Sequence, residues 1–129
     1  GLEDIKKIQT IHKIVCIGSI GHINSYLKET YPSLHITRSA SYYLEITNKE
    51  ATKASAIQTV ANHYQIPLEN TIAFGDYYND EDMLEMAGVS YVVDNAPDDL
   101  KEKADYVTLS NNDDGVAFIL NQFYDKESL

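Results

Sequence analysis

The clearest pattern lies in the second half of the chain, where short apolar runs alternate with segments of helical spacing. The run Thr71-Ile72-Ala73-Phe74 ends at Gly75 and is followed by Asp76, Asn79 and Asp80. β-Branched and aromatic residues predict a buried strand over 71–74, broken by the glycine. Open α/β sheets bind ligands beyond the carboxyl ends of their strands, so this strand is expected to deliver Asp76 to a site.

The flanking pattern repeats. From Lys53, the positions Ile57, Val60, Ala61 and Tyr64 predict a helix with Thr52 as N-cap and Pro67 beyond its end. After the 71–74 strand, a helix carrying Met83, Leu84 and Ala87 is expected, with Asp80 or a neighbour as cap and Gly88 as a left-handed C-terminal residue. A strand over 89–93, a short helix opened by Pro97, a strand over 106–109, a loop over 110–115 and a final helix with the stripe Val116, Ile119, Leu120 and Phe123 complete the module. Alternating helices and strands predict a parallel sheet wrapped by helices.

The first fifty residues read differently. Residues 2–11 form a linker or frayed helix, and a strand over 13–17 stops at Gly18. A helix over 24–31 is closed by Pro32, and strands over 34–38 and 42–47 are joined through Ser39-Ala40-Ser41. A polar stretch over 48–52 marks the boundary between residues 1–50 and 51–129.

Composition narrows the function. The chain has 129 residues, 43% of them hydrophobic, with a formal net charge of −10. The apolar content predicts a globular fold, and the charge argues against nucleic acid or an anionic membrane as partner, because both are bound through Lys and Arg patches. No apolar run approaches the roughly 20 residues of a membrane span, and the start Gly1-Leu2-Glu3-Asp4 lacks the regions of a signal peptide. The single cysteine, Cys16, lies in an apolar run, expected to be a small buried side chain in a reducing, cytoplasmic compartment. A chain this acidic needs a divalent cation and a local lysine to hold a phosphate.

Three pieces converge on one sheet edge in this topology: Lys53 at a helix start, Gly75-Asp76-x-x-Asn79-Asp80 after a strand, and Asp94-Asn95-Ala96-Pro97 after the next. Carboxylates suit hard Mg²⁺, the ammonium offsets phosphate charge, and an amide can donate to a phosphoryl oxygen. An EF-hand reading of 76–87 fails, since Tyr78, Glu81 and Ala87 stand where Asp or Asn, Gly and Glu are required. His12, His22, His35 and His63 lack ligand spacing.

These pieces, with Tyr43-Leu44-Glu45-Ile46, Ala87-Gly88, Ala104-Asp105-Tyr106-Val107-Thr108 and Asp113-Asp114-Gly115-Val116, resemble the haloacid dehalogenase superfamily, in particular Cof-type phosphatases with an α/β cap. The resemblance implies a Rossmann-like core with 51–129 as its C-terminal half and 1–50 as the C-terminal part of the cap. It implies Mg²⁺-dependent hydrolysis of a small phosphorylated metabolite. Lys53 would steady the nucleophile and phosphoryl group, Asp76 would bind Mg²⁺ directly or through water, and Asn79 would contact the phosphate. Asp80 would support the metal's water shell or brace the loop, and Asn95 would line the site's edge. Ala54 and Tyr77 depart from the glycine and small residue usual in the family.

The family's reaction begins at an aspartate in Asp-x-Asp-Gly-Thr after an apolar strand and passes through a phospho-aspartate. That motif is missing: Asp80-Glu81-Asp82 opens a helix, and Asp113-Asp114-Gly115 follows a polar loop. The expectation is a C-terminal fragment or degenerate gene product that does not turn over phosphate esters alone, or a metal- or ligand-binding module of the same fold. An exposed core-sheet edge would then invite a homodimer.

Overall fold

The structure, a computed structural model, describes residues 2–5 and 10–124. It divides into two units, residues 1–51 and 52–129. In the first, α1 (Leu2–Ile5) is one short turn, and the remainder of the predicted linker at 6–9 lies outside the described residues. Strands β1 (Lys13–Ile17), β2 (Leu34–Ala40) and β3 (Tyr43–Asn48) form an antiparallel sheet in the order β1-β3-β2, with α2 (Gly21–Thr30) between β1 and β2 in sequence. The hairpin is tighter than the sequence suggested: Ala40 pairs with Tyr43, and a register shift between Arg38 and Ala40 absorbs Ser39. Ile20, Ile36 and Leu44 make the small core, with Cys16, Leu27 and Ile46 packed against it. Cys16, expected to be buried, is only partly so: it packs at the margin of this core, and Ile14, Val15 and Ile17 of the same strand are exposed.

The second unit is a parallel α/β sheet. Strands β4 (Ile72–Gly75), β5 (Val89–Val93) and β6 (Tyr106–Thr108) lie in the order β4-β5-β6, with β4 paired to β5 and β5 to β6 in parallel register. Between them run α4 (Glu81–Met86) and α5 (Asp98–Lys101), preceded by α3 (Lys53–Tyr64) and followed by α6 (Gly115–Tyr124). Ala73, Leu84, Val92, Val93, Ala96 and Leu100 form the core. Phe74, Tyr91 and Tyr106 stack across the three strands, with successive ring centroids 5.5 and 5.2 Å apart.

Local chemistry explains where these elements begin and end. Thr52 starts α3 with a reciprocal cap: its hydroxyl accepts from the Ser55 amide at 3.0 Å, and the Ser55 hydroxyl accepts from the Thr52 amide at 3.2 Å. At the far end of the β5–β6 pair, the Asp105 carboxylate accepts from both the Ser90 amide, at 2.8 Å, and the Ser90 hydroxyl, at 2.9 Å. The Ala104-Asp105-Tyr106 motif is therefore a strand brace on the edge away from the site.

Three expectations change. Gly88 is not left-handed, since Gly18 alone among the described glycines has a positive φ. Gly88 serves close approach instead, because a Cβ there would stand 2.2 Å from the Glu69 carbonyl oxygen. The α3 stripe buries Ala54 and Ala61, whereas Val60 and Tyr64 are more than half exposed. On α6, Ile119 is buried and Val116 and Leu120 line cavities rather than core. The helical period was correct, but a stripe does not say how much of its width a neighbour covers.

Gly88→Ala is expected to destabilise the second unit by about 2–3 kcal/mol, because backbone on both sides must shift to admit one methyl group. Urea unfolding measures this, and an unchanged midpoint would show that the Glu69 segment yields freely.

Candidate active site

The carboxyl ends of β4, β5 and β6 release three loops, residues 76–80, 94–97 and 109–114, toward the same edge of the sheet. On the first, Asp80 turns back beneath its own strand. It is only 3% exposed, and the space it fills exists because residue 75 is glycine: a Cβ on Gly75 would lie 2.8 Å from the Asp80 Cβ. The glycine expected merely to break the strand is its last paired residue, opposite Val92, and makes room for the carboxylate.

Asp80 uses both carboxylate oxygens. One forms an ion pair with the Lys53 ammonium, and the other accepts the backbone N–H of Asp76 at 2.9 Å. It does not cap α4 with its side chain, as the sequence had suggested. Lys53 comes from the first turn of α3, so one carboxylate joins α3 to the loop after β4. The Lys53 side chain stays 47% exposed, which leaves the ammonium reachable.

Asp76 is the carboxylate left facing outward. Its pKa is raised above the usual 3.8, first by desolvation, then by its hydrogen bond with and the negative charge of Asp80, against the lowering influence of Lys53. Two carboxylates this close are a place where a cation relieves repulsion. Among the described residues no group of three or more His, Cys, Asp or Glu side chains could hold a metal. Asp76 is the carboxylate here that could hold a largely hydrated Mg²⁺, an ion that usually keeps several waters and takes only one or two carboxylates. Asp80 has each oxygen engaged once, by Lys53 and by the Asp76 amide.

Lys53, Asp76 and Asp80 line a cavity of about 550 Å³, together with Asn111 and an apolar wall that includes Phe74, Val93 and Val116. Asn79 is not one of the lining residues. Its side-chain oxygen is buried without a hydrogen-bond partner, an arrangement that costs roughly 1–3 kcal/mol unless a donor arrives. Asn95 is used structurally: its side-chain oxygen accepts the backbone N–H of Asn111 at 2.9 Å, tying the loop after β5 to the loop after β6. Asn111 itself escaped the sequence reading, which saw a turn-rich loop over 110–115. The available signal was Ser110, whose hydroxyl accepts from the Asn112 amide and fixes the turn. Tyr78 donates to the Asp99 carboxylate at 3.0 Å and meets Tyr77 edge to face, so one tyrosine of the pair links the acidic loop to α5.

Residues 2–120 match the haloacid dehalogenase-like hydrolase family. A putative phosphatase of Haemophilus influenzae is 43% identical over 114 residues, covering 86% of this chain and 44% of the relative. A 5-amino-6-(5-phospho-D-ribitylamino)uracil phosphatase of Bacillus subtilis is 35% identical over 105 residues, covering 79% of this chain and 39% of the relative. Among solved structures, a haloacid dehalogenase-like hydrolase from B. subtilis superposes with a TM-score of 0.83 at 30% identity, over 94% of this chain and 45% of that one. A subclass IIB sugar phosphatase of the same superfamily superposes with a TM-score of 0.84 at 27% identity, over 95% of this chain and 46% of that one. The chain thus spans less than half the length of these relatives.

Asp80→Ala is expected to cost about 2–3 kcal/mol, at the low end for a broken buried pair because Lys53 can turn to water. Asp76 has the opposite sign. An acid whose pKa is raised on folding is protonated more readily in the folded state, so ionised Asp76 subtracts from stability at neutral pH, and the loss is relieved as pH falls through its raised pKa. Asp76→Asn should then raise the metal-free melting temperature at pH 7 by ~1–3 °C and flatten its dependence on pH in the acid range. A melting temperature lowered by this substitution would contradict the assigned repulsion.

Proposed function

Because the chain belongs to the haloacid dehalogenase-like hydrolase family, we propose that it supplies the lysine and metal side of a Mg²⁺-dependent phosphatase site acting on small phosphate monoesters. The observation that carries the reading is the Lys53–Asp80–Asp76 arrangement at the carboxyl edge of a parallel sheet, opening on a cavity. Residues 52–129 correspond in this reading to the C-terminal half of the core and residues 1–51 to the end of a cap. A reducing, cytoplasmic setting fits the single thiol. No helix among the described residues is long and apolar enough to cross a membrane.

The division of work follows from charge. Hydrolysis of a phosphate monoester is helped by anything that holds the phosphoryl oxygens in line with the attacking group and offsets their charge. The Lys53 ammonium, fixed by Asp80, faces one phosphoryl oxygen, and Asp76 keeps its carboxylate for the cation. Mg²⁺, when bound, neutralises phosphoryl charge and orients the phosphate. Asn79, the residue the sequence assigned to the phosphate, would contact it through its NH₂, because its unpaired oxygen can only accept.

The attacking aspartate comes from outside these 129 residues. Neither acidic run substitutes for it: Asp82 lies within the first turn of α4, and Asp113 and Asp114 belong to the turn before α6. β4 lies at the end of the strand order, with Ile72 37% exposed, and a strand carrying the nucleophile would fit alongside it. A second copy of this chain is the competing occupant of that edge, giving a homodimer. A module that binds Mg²⁺ or a ligand without turnover is the competing function, favoured by the same missing aspartate.

The test mixes the purified chain with a polypeptide matching the uncovered part of the Haemophilus relative, in Mg²⁺ and a generic aryl phosphate. The chain alone should be inactive, the mixture active, and Lys53→Ala or Asp76→Ala in the chain should lower that activity by at least about a hundredfold, as loss of transition-state charge stabilisation does. Robust turnover by the chain alone would overturn the division of labour. Mg²⁺ binding by calorimetry with an inert mixture would favour the binding module. Sedimentation of the chain alone separates the homodimer from the open edge.

A further inference from the structure

We propose that Asn111 is a substrate-positioning contact of this site and that Asn95 acts only through it. The proposal rests on the phosphatase reading above and adds a residue to it. Asn111 lies on the wall of the same cavity as Lys53 and Asp76, but it arrives from the loop after β6. It is therefore independent of the α3 and β4 loop elements that build the lysine and metal side.

The loop that carries Asn111 is held from several directions. Asn95 receives its backbone N–H at 2.9 Å. The Ser110 hydroxyl accepts from the Asn112 amide at 3.1 Å and lies 3.4 Å from the Asn111 side-chain oxygen, to which it donates. Behind the turn, the buried Thr108 hydroxyl donates to the Gly115 carbonyl at 2.8 Å. Gly115 cannot carry a side chain there, because a Cβ would stand 2.0 Å from the Leu109 carbonyl oxygen. So many restraints on a six-residue connection exceed what joining β6 to α6 requires.

What the restraints present is an amide. With its oxygen engaged by Ser110, the Asn111 side chain keeps its NH₂ as the group offered to the cavity, and an NH₂ donates to oxygen. The chemistry it recognises is a phosphoryl or adjacent ester oxygen. An amide also suits a site that already holds two carboxylates, since it donates without adding charge. Asn95, whose oxygen is committed to the Asn111 backbone, contributes by fixing that amide's position.

The experiment is nuclear magnetic resonance on the full ¹⁵N-labelled chain, titrated with inorganic phosphate in the presence of Mg²⁺. Phosphate should shift the Asn111 side-chain NH₂ together with the backbone amides of Lys53 and Gly75. Asn111→Ala should weaken phosphate binding by roughly five- to tenfold, the loss expected for one hydrogen bond. Asn95→Ala should weaken it similarly and speed hydrogen exchange at the Asn111 backbone amide. The double variant should lose no more than either single one, because the two residues act in series. Asn95→Asp, which keeps the acceptor oxygen, should restore slow exchange at Asn111, a rescue that general destabilisation would not give. Shifts at Lys53 and Gly75 with no response at Asn111, or additive losses in the double variant, would overturn this inference and leave the phosphatase reading standing. No response at any of these groups would overturn both.

Discussion

The site depends on one buried carboxylate with two bonds. Asp80 sits beneath the end of β4 and ties the first turn of α3, through Lys53, to the backbone at Asp76. Each end of that arrangement is prepared elsewhere. Gly75 leaves the volume for Asp80, Leu84 packs into the core from α4, which begins directly after Asp80, and the Thr52–Ser55 cap fixes where α3 begins and hence where Lys53 points. An isolated carboxylate at this depth would be costly, and a lone lysine at a helix start would sample many rotamers. Together they hold the loop between β4 and α4 in one conformation and leave Asp76 on its outer side.

The arrangement stabilises the loop at the expense of Asp76. Partial desolvation, and after it the hydrogen bond with and repulsion from Asp80, disfavour its charged form, and Lys53 offsets only part of this. Carboxylates perturbed in this way cluster at functional sites. The arrangement also shows that the two acids of one short loop have different surroundings, although in the sequence both appear as candidate ligands.

Much of the framework was legible in the sequence because it rests on local rules. Periodicity located the strands of the parallel sheet, Thr52 announced the start of α3, and the spacing of Gly75, Asp76, Asn79 and Asp80 marked the site. The remainder depends on residues distant in sequence. Gly88 resembled a helix terminus, but its reason is the Glu69 backbone nineteen positions upstream. Asn95 resembled a ligand, but its oxygen is taken by a backbone amide sixteen positions later. Val60 and Tyr64 fitted an apolar stripe, and only the packed unit reveals that Ala54 and Ala61 carry its buried side. Periodicity and capping are encoded within a few residues, whereas close approach and shared hydrogen bonds are not.

Charge at the cavity decides what it can hold. Its ionisable lining consists of one ammonium, on Lys53, and two carboxylates, on Asp76 and Asp80, a formal balance of −1 within a chain of net charge −10. A phosphate monoester dianion brought to that wall meets repulsion both at contact range and from the protein's wider field, which salt screens beyond about 8–10 Å. A divalent cation held at that wall would turn the formal balance to +1 and reverse the short-range repulsion. Lys53 by itself cannot provide this reversal, because Asp80 already neutralises it. The bond that gives the loop its shape is thus the same bond that leaves this wall without a net positive charge.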